Sequence, residues 1–163
     1  MEFLGWLEQL SYSTWVRESP SLLAFPALLF VHTLGMSLVA GGSAVIAMAL
    51  LGLWPQATLK PLEKIYPVIW FGFWINLFTG VSIFLKDASI YGRNADLYVK
   101  LVFVAAGVAL IGVIRKRVFS GSASDVGPVS GQTKLLAWLS LGCWFCAIVA
   151  GRLIAYVGPV PGL

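Results

Sequence analysis

Charge is what this sequence has least of. Only 11% of its 163 residues are Asp, Glu, Lys or Arg and 59% are hydrophobic, where soluble domains run at ~25% charged and ~45–50% apolar. That balance excludes a soluble fold of this length, because much of any globule's surface stays exposed and here too little polar material exists to cover it. The seven acidic residues all fall in loops or interfacial segments, so no paired carboxylates are available for a proton relay within a membrane. A Gly-rich phosphate loop, a nucleophile–base motif and internal repeats are also missing. The single histidine excludes bis-histidine ligation from this chain alone. The start, Met1 to Trp6, has neither a basic segment nor a small-residue cleavage site before the first long apolar run, so a cleaved signal peptide is not expected.

What the sequence does have is apolar length. Four runs reach membrane-spanning size: about 22–53, 65–85, 97–114 and 135–157. At ~1.5 Å per residue the first exceeds a ~30 Å hydrocarbon core, so it must tilt, protrude or bend near Pro26. Residues 2–16 place Phe3, Trp6, Leu7 and Leu10 at helical spacing, with Glu2, Glu8 and Gln9 elsewhere on the wheel. That pattern predicts one amphipathic helix lying in the interface, with Trp6 and Trp15 at headgroup depth. Ser19-Pro20 reads as an N-cap followed by proline at the first helical position. The connector 86–96 carries a Tyr91-Gly92 turn signal, and the Ser/Gly-rich stretch 120–133 reads as a flexible loop. The expectation is an all-α, single-domain membrane bundle of four helices with an N-terminal interfacial helix.

The net charge of +4 is explained by topology rather than by nucleic acid, which is not an expected partner. Arg115, Lys116 and Arg117 close the third run, where basic residues anchor a helix on the cytoplasmic side. With Lys60, Lys64 and Lys134 they make six on that side, against Arg17, Lys86, Arg93 and Lys100 on the other. Both termini are therefore expected outside, in the periplasm for a bacterial inner membrane.

His32 lies well inside the first span, and polar groups at such depth are costly, face the protein interior and often mark function. The alternative is a neutral imidazole that merely bonds to a neighbouring helix. Arg152 near the end of the fourth span and Lys100 at the start of the third fall on the same outer side, above His32. An imidazole beneath two cations suits a b-type haem, whose iron takes the nitrogen while its carboxylates turn to the cations. Gly35, one turn from His32, either admits a flat macrocycle or lets two helices pack closely. Met36 shares the face of His32, so it cannot supply the opposite ligand of one iron. The pair at i, i+4 is instead a minimal soft copper site, a weaker expectation. Cys143 and Cys146 form a C-x-x-C at mid-membrane with no histidine after it, which excludes covalent haem attachment by the usual motif and reads as apolar filling. Asn76 is expected to bond between helices.

Trp15-Val16-Arg17-Glu18-Ser19-Pro20, His32-Thr33-Leu34-Gly35, Tyr98-Val99-Lys100-Leu101 and Ala150-Gly151-Arg152-Leu153-Ile154-Ala155-Tyr156 together resemble a family of small bacterial four-helix inner-membrane proteins of unknown function. More distantly, the His-x-Leu-Gly helix is similar to helices of the copper-resistance D proteins and of four-helix membrane cytochromes b. That resemblance implies the bundle, and maps only His32 onto a ligand position. The leading expectation is a module holding a redox cofactor, haem b on His32 with Gly35, Lys100 and Arg152 around it. Such a module passes electrons or supports a larger complex and catalyses nothing alone, as a homo-oligomer or beside other membrane subunits. Its rivals are a cofactor-free structural subunit and an oligomeric carrier of a small anion or metal.

Overall fold

The computed structural model describes residues 2–54, 59–119 and 129–157. Every regular element among them is helical: α1 (Glu2–Glu8), α2 (Ser11–Glu18), α3 (Phe25–Leu50), a 3-10 segment (Lys60–Ile65), α4 (Tyr66–Lys86), α5 (Ala88–Tyr91), α6 (Ala95–Phe119) and α7 (Gly131–Val157). Four stretches are long and apolar enough to cross a membrane: Phe25–Leu50, Lys60–Lys86, Ala95–Phe119 and Gly131–Ile154. Large apolar side chains such as Phe30, Phe71, Trp74, Phe78, Val102 and Phe145 stand exposed on their outer faces. Helices apolar all round are stable only in a solvent of hydrocarbon. The fold is that of a multi-pass membrane protein.

Local signals explain where the spans begin and end. α3 starts at Phe25 with Pro26 in its first turn, where a missing N–H costs nothing. Pro26 thus stands at the helix start and not within the span. Its other end closes on Gly52, at φ +85°, with Gly52 N–H on the Ala49 carbonyl and Leu53 N–H on that of Met48. This left-handed glycine cap satisfies carbonyls that a helix end leaves orphaned. Asn94 Oδ1 accepts the Asp96 N–H at 2.8 Å to start α6, and Ser130 Oγ accepts the Thr133 N–H at 3.3 Å to start α7. Asp96 in the first turn of α6 and Lys116 and Arg117 in its last complement the helix dipole. The basic cluster thus belongs to the helix, which continues to Phe119 instead of stopping at residue 114.

The N-terminal segment departs from the single expected helix. It breaks at Gln9–Leu10, and the buried Ser13 hydroxyl donates to the Leu7 carbonyl at 2.8 Å, satisfying a carbonyl freed by the break. Ser19 closes α2 through its N–H to the Trp15 carbonyl, so it is a C-cap and not the N-cap of the first span. α1 packs against α4 and α5 and α2 against α4, while Phe3, Trp6 and Trp15 remain exposed. Tyr91-Gly92 forms the expected turn, with Gly92 ending α5. Of the expected loop 120–133, residues 120–128 lie outside the described residues, and Gly131 already opens α7.

Two helical hairpins, α3–α4 and α6–α7, meet mainly through α3 and α7. We call the end carrying α1, α2 and α5 the upper end, and the end carrying the 3-10 segment and Arg115 the lower end. Core side chains concentrate in the lower half: Ile46, Leu50, Tyr66, Ile69, Ile111 and Ile114. There Tyr66 packs edge-on against Phe119 and beneath the Arg115 guanidinium, joining α4 to α6. Close backbone approach holds α3 to α4, since a Cβ on Gly72 would fall 2.6 Å from Leu38 Cβ and 2.9 Å from the Gly35 carbonyl oxygen. The bundle is closed below and hollow above.

Candidate functional site

The hollow is a cavity of about 420 Å³ between the upper halves of α3, α4, α6 and α7, within the ~300–1,000 Å³ range of small-molecule and cofactor pockets. His32, Lys100 and Arg152 all line it, as does Met36. The three residues singled out in three separate spans are brought to one place. Its walls are otherwise mostly apolar, with Phe25, Leu29, Ile83, Phe84, Leu97 and Ile148 among them, and none of its lining residues is acidic.

His32 is set by its neighbours on α4. Its Nδ1 lies 2.9 Å from Thr79 Oγ1, and Thr79 donates its single hydroxyl proton to the Ile75 carbonyl at 2.7 Å. Where that proton goes to Ile75, Oγ1 accepts from Nδ1–H and Nε2 keeps the lone pair. No hydrogen-bond partner for Nε2 is found among the described residues. Asn76 Nδ2 donates to the His32 backbone carbonyl at 2.8 Å, the interhelical bond expected of it. Gly80 gives the ring its space, because a Cβ there would sit 3.3 Å from His32 Cε1. In that arrangement the imidazole is neutral and Nε2 is without a hydrogen-bond partner among the described residues, the state in which histidine ligates a metal.

The cations differ from one another. Lys100 is partly buried and lies along the α7 backbone at Gly151, where a Cβ would contact its Cδ, Cε and Nζ at 3.4–3.5 Å. Arg152 is exposed at the rim. Neither makes an ion pair among the described residues, whereas Lys86, nearby over the ring of Phe25, is neutralised by Asp87. Two cations without an ion pair among the described residues, beside an apolar hollow, favour an anionic, largely apolar ligand, since a partly buried charge is costly without a partner. Tyr91 adds a hydroxyl to the lining, and burial pushes its phenol above the ordinary value, keeping it protonated.

Gly35 is the expected site residue that the cavity does not include. It lies in the α3–α4 seam, where a Cβ would come within 3.0 Å of the Asn76 amide nitrogen and the Gly72 carbonyl oxygen, so it serves helix packing. Cys143 and Cys146 are free, partly buried thiols on α7. Among the described residues no three His, Cys, Asp or Glu side chains come together to hold a metal ion. Thr79 and Tyr91 were missed from the sequence. The signal for Thr79 was its spacing of three from Asn76, which puts two polar residues on one face of an apolar span; Tyr91 gave none beyond its turn.

Comparison with protein-family models, with curated proteins and with solved structures finds no match to this chain. What can be said of the site comes from its own geometry, that of a multi-pass membrane protein with a cationic, histidine-bearing cavity.

Proposed function

We propose that this chain is a membrane module that holds haem b in its upper cavity, on Nε2 of His32, with the haem carboxylates received by Lys100 and Arg152. The observation that carries this reading is the meeting of His32, Lys100 and Arg152 at one cavity, with no hydrogen-bond partner for His32 Nε2 and no ion pair for either cation among the described residues. A lone protein donor suffices for haem, because the macrocycle itself occupies four positions around the iron. The bound group would supply one-electron chemistry; the chain's own residues anchor it, orient it and shield it with apolar walls. The module passes electrons or serves a larger membrane complex, as a homo-oligomer or beside other subunits. By the bias of Arg115, Lys116 and Arg117, its cavity opens on the periplasmic half of a bacterial inner membrane.

The test is the visible spectrum of protein extracted gently from its native membrane. A Soret band with a reduced b-type α-band, lost in His32→Ala, is expected; a colourless preparation that also fails to take up added hemin overturns the proposal. A cofactor-free structural subunit is the second reading, favoured by the bonds that His32 makes to α4 on both its ring and its backbone. In that case His32→Ala lowers stability and no spectrum accompanies it.

A further inference from the structure

The lower half of the bundle holds a second, much smaller space, of about 10 Å³, lined by buried residues of all four spans. Three of the side chains around it are polar: Ser43 on α3, Tyr66 on α4 and Ser140 on α7. Each is more than nine-tenths buried, at 5%, 1% and 2% exposure. The hydroxyls of Ser43 and Tyr66 have no hydrogen-bond partner among the described residues. A buried hydroxyl left unpaired costs roughly 1–3 kcal/mol, and two facing the same gap are a poor arrangement for a core that is otherwise Ile69, Ile111 and Ile114.

The gap is the size of one water. A site needs roughly 10–15 Å³ of such space and two to four polar partners to hold a water molecule, and both conditions are met. We propose that a single structural water occupies this space and bridges Ser43, Tyr66 and Ser140, tying α3, α4 and α7 together below the cavity. Ser and Tyr hydroxyls each donate and accept, so one water can pair the Ser43 and Tyr66 hydroxyls and bond to Ser140 as well. It also gives a physical reason for the polarity of a core position such as Ser43, where an apolar side chain would otherwise be preferred. The junction is independent of whether haem occupies the upper cavity.

The sign of two substitutions decides it. With the water present, Tyr66→Phe and Ser43→Ala each remove a hydrogen bond, and each lowers the thermal midpoint of the detergent-solubilised protein. The double variant then loses less than the sum of the two, because both act through one molecule. With a dry gap, Tyr66→Phe removes an unpaired hydroxyl while keeping the ring on Phe119, so the midpoint stays or rises; that result overturns the proposal. X-ray radiolytic labelling gives a readout that does not depend on stability. Water held against Tyr66 should yield oxidation of this residue despite its burial, and a folded protein in which Tyr66 remains unlabelled also overturns it.

Discussion

The imidazole of His32 is held across the seam between α3 and α4 by Thr79, whose Oγ1 lies 2.9 Å from Nδ1 and 2.7 Å from the Ile75 carbonyl oxygen. The pairing matters because an acceptor on one imidazole nitrogen fixes which nitrogen is left to ligate. Thr79→Val keeps the shape of the buried side chain and removes that acceptor. Second partners of this kind are typically worth about 10–100-fold in affinity for the ligated metal. Titration of hemin into the purified variant should show a loss of that order, with Thr79→Ser near the parent. Unchanged affinity in Thr79→Val would mean that Thr79 does not orient the ring.

The two cations should contribute unequally. Lys100 is partly buried against Gly151, whereas Arg152 is exposed at the rim and its pairing is screened by solvent. Hydrogen bonds to charged groups are worth about 1.5–3 kcal/mol when sheltered. Lys100→Met is therefore expected to weaken hemin binding roughly tenfold or more, and Arg152→Met by a few-fold at most. Raised salt should narrow the effect of Arg152→Met and leave that of Lys100→Met. An effect of Arg152→Met larger than that of Lys100→Met would reverse the assignment of the buried counter-charge.

Packing at the α3–α4 seam is testable without any ligand. A methyl group at Gly72 or Gly35 would meet backbone atoms of the opposite helix at 2.9–3.0 Å, and backbone cannot swing aside as a flexible side chain would. Gly72→Ala and Gly35→Ala should each destabilise by about 1–3 kcal/mol, as overpacking does. Gly41 and Gly142 lie in the same kind of helix with nothing within 4 Å of a Cβ, so Gly41→Ala and Gly142→Ala should be neutral or slightly stabilising. Reversible unfolding in mixed micelles compares the four. Equal effects at all of them would show that helix propensity outweighs close approach.

Orientation follows from the basic cluster and is open to direct labelling. In a background without Cys143 and Cys146, single cysteines replacing the exposed Gln9 and Gln132 lie at the upper and lower ends. An impermeant thiol reagent applied to intact cells should modify Gln9→Cys and spare Gln132→Cys until the cells are opened. The opposite pattern places the cavity on the cytoplasmic half.

Much of this protein was legible in one dimension because hydrocarbon solvation acts on composition. A run such as Leu97 to Ile114 leaves its backbone groups no alternative to helix within lipid, so the span count and the all-α class followed from apolar length. The anomalies His32, Lys100, Arg152 and Asn76 were visible for the same reason, since a polar group in such a run is costly. Boundaries were less legible. Ser19-Pro20 carries an N-cap signature, yet the Ser19 N–H closes α2 and the span starts at Phe25, because α2 packing on α4 takes precedence over a local capping preference.

Tertiary structure alone decided how the helices face one another. Gly35 and Gly80 both lie in apolar spans, yet one meets the backbone of α4 and the other makes room for the His32 ring. The difference is set by rotation of each helix against its neighbour, which periodicity constrains weakly when a span is apolar all round. The choice of Thr79 as partner to Nδ1, and with it the free nitrogen of His32, depends on the register of α3 against α4 at the Gly35–Gly72 contact. That register is a matter of ångströms between backbones 37 residues apart in sequence, and no local pattern encodes it.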